Sequence, residues 1–144
     1  MEDRSGKPNK KFTITMTFGN DVASVGSASS TCGSVSGISI DGNTVTLRLV
    51  NVAHGCNGSD ITITANDIVD TDGNSLSSAS VDMGLLLGDV NGDRVVDRND
   101  VNLVQQFTHQ KINSHNFRAD VSNDGFINRS DKDLVRQQLG TSLP

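Results

Sequence analysis

The chain has 144 residues, a formal net charge of −5, two cysteines, and neither Trp nor Tyr. That length holds one ordinary domain or two small ones, and so mild an acidity excludes a nucleic-acid surface, which needs clustered basic residues. No apolar run approaches the roughly 18 residues of a membrane span, and no basic-then-apolar leader precedes the abrupt start Met1-Glu-Asp-Arg, which reads as the cut end of a longer protein.

Composition divides the sequence. Residues 1–87 carry five basic and nine acidic side chains, net −4, in a background rich in Ser, Thr, Gly and Val. Residues 88–144 carry seven basic and eight acidic side chains, net −1, with helix-forming Leu, Gln and Arg. Residues 1–11 are polar and aperiodic and are expected to be a disordered or cut start. From Phe12 the apolar residues alternate strictly: Phe12, Ile14, Met16 and Phe18 on one side, Thr13, Thr15 and Thr17 on the other, as a half-buried strand requires. A Gly/Ser-rich stretch follows, with room for one short strand near Ala23–Ala28. Ile38 and Ile40 lead into Asp41-Gly42-Asn43 and then Val45, Leu47 and Leu49, a hairpin with its turn chemistry in place. Strands are also expected at Ile61–Ile63 and through Ala79, Val81, Met83 and Leu85. Short strands at this spacing, with no helix, predict an all-β immunoglobulin-like sandwich over 12–87.

This half shows no catalytic constellation, and its lack of Trp and Tyr removes the rings that would stack on a sugar. Asp70-Thr-Asp72-Gly-Asn74 has the look of a calcium loop, but its twelfth position is Val81, so it reads as a turn between strands. His54 has no second His at ligand spacing and reads as a solvated loop residue. Cys32 and Cys56 both lie in Gly/Ser-rich surroundings. Paired, they would close a loop that stabilises the fold by about 3–4 kcal/mol; the alternative is two free thiols.

In the second half an acidic twelve-residue pattern occurs twice, at 89–100 and, 31 residues on, at 120–131. Oxygen-bearing side chains fall at positions 1, 3, 5, 9 and 12 of each copy, the ligand spacing of an EF-hand calcium loop, in which position 7 adds its main-chain carbonyl. The first copy offers Asp89, Asn91, Asp93, the Val95 carbonyl, Asp97 and Asp100; the second offers Asp120, Ser122, Asp124, the Phe126 carbonyl, Asn128 and Asp131. Neither loop contains His or Cys, so the all-oxygen set points to a hard cation, two calcium ions in all. Comparing 88–110 with 119–141 gives eight identities, five of them at non-ligand positions, which marks duplication of a whole loop–helix unit. After each loop a helix is expected, capped by Asn99 or Ser130. Leu103, Val104 and Phe107 in the first helix and Leu134, Val135 and Leu139 in the second lie at helical spacing and are expected in the core, with Phe117 wedged between them and Gly140 as a C-cap. Each loop has only its exit helix, so the fold class is a two-domain chain: the sandwich, then a small α-helical module of half-EF-hands over 88–144.

The run Gly88-Asp-Val-Asn-Gly-Asp with Asp100, then Asn116-Phe-Arg-Ala-Asp120 to Asp131 and Gly140-Thr-Ser-Leu-Pro144, resembles a type I dockerin. The preceding sandwich resembles the immunoglobulin-like region found before such modules in secreted bacterial proteins. The resemblance implies a secreted, non-catalytic, calcium-dependent module that docks its parent onto a cohesin-like domain, with no nucleic acid, membrane or small-molecule substrate as partner. It also implies contact residues at loop positions 10 and 11 and on the following helix: Arg98, Asn99, Gln105 and Gln106, and Arg129, Ser130, Arg136 and Gln137. With two calcium ions the module would move from net −1 to +3, and this Arg-bearing face implies a partner with an acidic surface. The alternative is a calcium-stiffened structural module without a cohesin partner. Two departures from the family pattern stand out: Arg94 replaces the usual Gly at position 6 of the first loop, and Ser122 replaces Asp or Asn at position 3 of the second.

Overall fold

The computed structural model describes residues 11–52 and 54–144, except for the side chain of His54. Residues 1–10 of the expected disordered or cut start at 1–11, and the exposure of His54, therefore lie outside the described residues. The chain forms two compact units, which interleave along the sequence: one holds the strands up to Val52 and again from Ile61 to Met83, the other gathers His54–Asp60 with Gly84–Pro144.

The first unit contains two three-stranded sheets. One sheet has the order β1 (Phe12–Thr17), β4 (Thr44–Val50), β3 (Ser34–Asp41); the other has the order β2 (Val22–Ser30), β5 (Ser59–Asp70), β6 (Ser75–Leu85). Alternation sets the register of the first sheet: Phe12 pairs with Leu49, Ile14 with Leu47 and Met16 with Val45, so the apolar residues of β1 and β4 share one face. The Asp41-Gly-Asn-Thr44 hairpin forms as expected, with Asp41 opposite Thr44 and Gly42 at φ 55°. Val45, Leu47 and Leu49 are fully buried, as are Ile63 and Ala65 of β5, while Ile38 and Ile40 on β3 are substantially exposed. Two strands run longer than their apolar stretches. β2 spans nine residues and β5 twelve, because main-chain pairing from Val22↔Asp70 to Ser30↔Ile63 carries the Ser/Gly-rich segments into the ladder. The Asp70–Asn74 stretch is a turn between β5 and β6. The Asp70 carboxylate accepts from Asp72 N at 3.0 Å, Asn74 N at 2.8 Å, Asn74 Nδ2 at 2.9 Å and Asn20 Nδ2 at 2.9 Å. Asn20 first, then Asn74, hold its pKa down at about 2. Cys32 and Cys56 are both disulfide-bonded.

The second unit contains two helices, α1 (Arg98–Phe107) and α2 (Arg129–Gln137), and a 3-10 turn at Phe117–Ala119. Its core is Leu86, Leu87, Val90, Val96, Val104, Ala119, Val121, Ile127, Val135 and Leu143, with Leu103, Phe107 and Leu134 packed against it. Two apolar expectations need correction. Phe117 is 41% exposed, and Ala119 and Val121 supply the buried core positions of this stretch instead. Leu139 is 45% exposed, because α2 ends at Gln137 with Gln138 as its C-cap, which takes Leu139 off the helical face; Leu143 is buried instead. Gly140 follows the cap at φ 88°.

The segment His54–Asp60 is tied into this unit by Asn57. Its Oδ1 accepts from Leu87 N at 2.6 Å and its Nδ2 donates to Gln138 Oε1 at 2.8 Å, while Gly58 N donates to Leu85 O at 2.8 Å. No helix among the described residues is long and apolar enough to cross a membrane.

Candidate functional site: twin acidic loops

Each acidic loop is folded around its own carboxylates. In the first, Asp89 at position 1 is fully buried and collects the turn: Oδ1 accepts from Gly92 N at 2.8 Å and Asp93 N at 3.1 Å, and Oδ2 accepts from Arg94 N at 2.9 Å. Asp100 at position 12 is also fully buried; its Oδ1 accepts from Val90 N at 2.9 Å and Asn91 N at 3.1 Å, and its Oδ2 from Asp97 N at 2.8 Å. The second loop repeats the scheme. Asp120 accepts from Asp124 N and Gly125 N, both at 3.0 Å, and Asp131 accepts from Ser122 N at 2.8 Å and Asn128 N at 2.9 Å. At position 5, Asp93 and Asp124 each accept the N–H of position 7, Val95 and Phe126, at 3.0 Å.

Positions 9 and 12 do a second job. Asp97 caps α1 and Asn128 caps α2, and in each case the position-12 Asp closes a capping box by accepting the cap's own N–H. This corrects the expectation that Asn99 and Ser130 are the caps. Their main-chain N–H groups instead donate to Asp97 Oδ1 at 2.6 Å and Asn128 Oδ1 at 2.7 Å. A carboxylate at the third residue of a helix also lies at the positive end of its dipole.

Both loops place positions 4 and 6 in the left-handed region, and each has one glycine for the two. Gly92 (φ 82°) and Arg94 (φ 74°) serve the first loop, Asn123 (φ 54°) and Gly125 (φ 92°) the second. The absence of glycine at position 6 of the first loop is thus met by a strained Arg94, at a cost of about 1–2 kcal/mol. A Cβ on Gly92 would meet Arg118 Nη1 at 2.5 Å, so a substitution there would displace the Arg118 guanidinium as well as strain the turn.

The donor atoms suit a hard cation. Asp89, Asp100, Asp120, Asp131 and Ser122 are buried, whereas Asn91, Asp93 and Asp124 are exposed. A carboxylate has about four acceptor directions. The bonds above occupy three on Asp89 and Asp100 and two on Asp131, so each keeps capacity for at least one more partner. Burial pushes the pKa of Asp100 up, and the neighbouring Asp89 charge adds to this, against the lowering effect of the N–H groups of Asp97, Asn91 and Val90. A cation there would relieve that repulsion. Among the described residues no three His, Cys, Asp or Glu side chains are gathered as a metal cluster. The expected donor set is mixed, drawing also on Asn91, Ser122, Asn128 and two position-7 carbonyls, and Asp97 is engaged with Asn99 Nδ2 at 3.0 Å.

The eight residues at the implied contact positions, Arg98, Asn99, Gln105, Gln106, Arg129, Ser130, Arg136 and Gln137, are all exposed. Gln105 Oε1 accepts from Lys132 Nζ, which links the two helices. On α2, Arg129 and Arg136 each lie 3.4 Å from Asp133, a partial neutralisation for which the α1 repeat has Asn102 instead.

The described geometry is thus a duplicated acidic-loop–helix unit, each loop built on two buried carboxylates and each helix on a capping box. Residues 87–140 match the family model of the dockerin type I domain. Such domains are calcium-binding, non-catalytic modules of secreted bacterial proteins that bind cohesin domains. No curated protein and no solved structure matches the chain.

Proposed function

We propose that this chain is an assembly piece: a calcium-folded dockerin that docks its parent protein onto a cohesin-like domain, following an immunoglobulin-like spacer. The observation that carries this reading is the near-identical hydrogen-bond frame of the two loops, position by position, around Asp89 and Asp100 and around Asp120 and Asp131. The loops are EF-hand-like. Asp89, Asn91, Asp93, the Val95 carbonyl, Asp97 and Asp100 would hold one calcium ion, and Asp120, Ser122, Asp124, the Phe126 carbonyl, Asn128 and Asp131 a second. Bound calcium supplies positive charge among buried carboxylates and so stabilises the only state that gathers them.

The docking face is Arg98, Asn99, Gln105 and Gln106 with Arg129, Ser130, Arg136 and Gln137, and its partner is acidic. The chain acts outside the cell, and its disulfide-bonded cysteines suit that setting. Capture of a cohesin domain by the full chain in calcium, lost in chelator and weakened by salt, is the expected result; capture independent of calcium would refute the reading. A second reading, a structural module, draws on the incorporation of His54–Asp60 into the helical unit. It expects calcium-linked folding with no cohesin captured at all.

A further inference from the structure

The two loops are alike in their carboxylate frames and unlike in what covers them. The first loop carries a strip of chain along its back. Val96 N donates to Thr141 O at 2.9 Å, Gly140 N to Val96 O at 2.9 Å and Leu143 N to Arg94 O at 3.0 Å, so that Val95 and Ser142 form a β-bridge. Leu143 is buried against Gly84, where a Cβ would meet its Cδ1 at 2.7 Å. Arg94 closes the arrangement: Nη2 donates to the main-chain oxygen of Pro144 at 2.7 Å and lies 3.6 Å from Asp60 Oδ2. Its main-chain N–H meanwhile donates to Asp89 Oδ2, the position-1 carboxylate. The second loop keeps one bond of this strip, His109 N to Ile127 O at 3.2 Å, but among the described residues it has no β-bridge, and Gly125 at position 6 has no side chain to act as a clamp. Nothing lies within 4 Å of a Cβ placed on Gly125, and Phe126 is 71% exposed where Val95 is 42% exposed.

We infer that Arg94 is a positioning residue for the first calcium loop, holding it in register through the tail 141–144 and Asp60, and that this accounts for a side chain where the turn favours glycine. The inference rests on the calcium reading of the loops. Its consequence runs against simple expectation, in which restoring glycine at position 6 improves the site. Relief of the φ strain stabilises every state that keeps the turn, so it does not favour the calcium-bound state in particular. Loss of the clamp and the added backbone freedom of glycine both loosen the unbound loop, and that ordering must then be supplied on binding. The lost contacts are a charge-assisted hydrogen bond and an exposed ion pair, which together correspond to about a three- to tenfold change in affinity.

The test is calcium titration of the full chain and of its Arg94→Gly, Arg94→Ala and Arg94→Lys variants, followed at the amide resonances of Gly92 for the first loop and Gly125 for the second. Arg94→Gly and Arg94→Ala are expected to weaken calcium binding at Gly92 by about three- to tenfold and leave Gly125 unchanged, with faster hydrogen exchange at Leu143. Arg94→Lys should recover part of the loss. Removal of residues 141–144 should weaken the same site, and adding Arg94→Gly to that truncation should cost little more. Binding at Gly92 as tight as or tighter than wild type in Arg94→Gly overturns the inference alone. A wild-type chain that takes up no calcium overturns the functional reading, and the inference with it.

Discussion

Replacing Asp131 by Asn changes little but the number of acceptors, and the structure separates its two consequences. Asp131 is fully buried, with Oδ1 on the Ser122 N–H at 2.8 Å and Oδ2 on the Asn128 N–H at 2.9 Å. An amide has one oxygen, so in either orientation its NH2 group faces one of those N–H donors. A buried donor left without an acceptor costs about 1–3 kcal/mol, at any calcium concentration. The second consequence scales with calcium: once its site is saturated, each ion bound only by the native state adds about 1.4 kcal/mol per tenfold rise in free calcium. Stability of the helical unit, read from the helix signal in urea titrations at a series of calcium concentrations, should rise by about 2.7 kcal/mol per decade for two ions. In Asp131→Asn it should rise by about 1.4 kcal/mol per decade and start about 1–3 kcal/mol lower. A variant line that overlies the wild type refutes the whole argument. A parallel line set lower keeps the capping role and removes Asp131 from the ligand set.

Asn57→Ala leaves the Leu87 N–H, on a residue only 8% exposed, without its acceptor. The calcium-saturated helical unit should lose about 1–3 kcal/mol in urea, and a change under about 0.5 kcal/mol would show that Asn57 is not the tie described here. Asp70 titrates at about 2 in the fold against an ordinary 3.8, so its contribution is present above pH 3.8 and is lost as the pH falls through 2. Asn20→Ala removes the largest cause of that shift, and acid unfolding of the strand unit should move to higher pH; an unchanged acid midpoint refutes the assignment. The two loops should bind calcium with distinguishable affinities, since one has Arg94 at φ 74° and the other has Gly125 there and Ser122 at position 3. A calorimetric isotherm fitted by two identical sites would show otherwise.

The duplicated acidic loop could be read because it is local. Ligand spacing and a 31-residue repeat need no tertiary knowledge, and the strict alternation of Phe12–Phe18 and Val45–Leu49 names strands for the same reason. What the sequence hid depends on contacts between distant segments. Ser/Gly-rich β2 has no apolar period and forms through main-chain pairing with β5. Asn57 reads as a loop residue until Leu87 and Gln138 are beside it, 30 and 81 residues away in sequence. Asn99 and Ser130 have the right chemistry for caps, but the helices begin two residues earlier than such caps imply, at Arg98 and Arg129, so positions 9 of the loops cap them. A spacing signal did exist for that: Asp97 with Asp100, and Asn128 with Asp131, place an acceptor three residues after a capping residue.

On the proposed calcium reading, positions 9 and 12 serve both as ligands and as the capping box, which ties metal chemistry to helix formation more closely than ligand spacing alone implies. A position-12 carboxylate must stay charged to be a ligand, yet burial and Asp89 oppose that charge at Asp100. The opposing stabilisation comes from the helix, through the capping N–H of Asp97 and the positive end of α1, and from the loop, through Val90 and Asn91. Each loop therefore holds its two buried carboxylates partly by its own helix. Positions 3 and 5 of the first loop, Asn91 and Asp93, stay at the surface and can adjust. In the first loop the support extends further, because the frame that starts at Asp89 continues through Arg94 to Pro144 and Asp60. Duplication supplied two similar frames, and the two loops differ in how many N–H groups each carboxylate gathers and in what braces position 6.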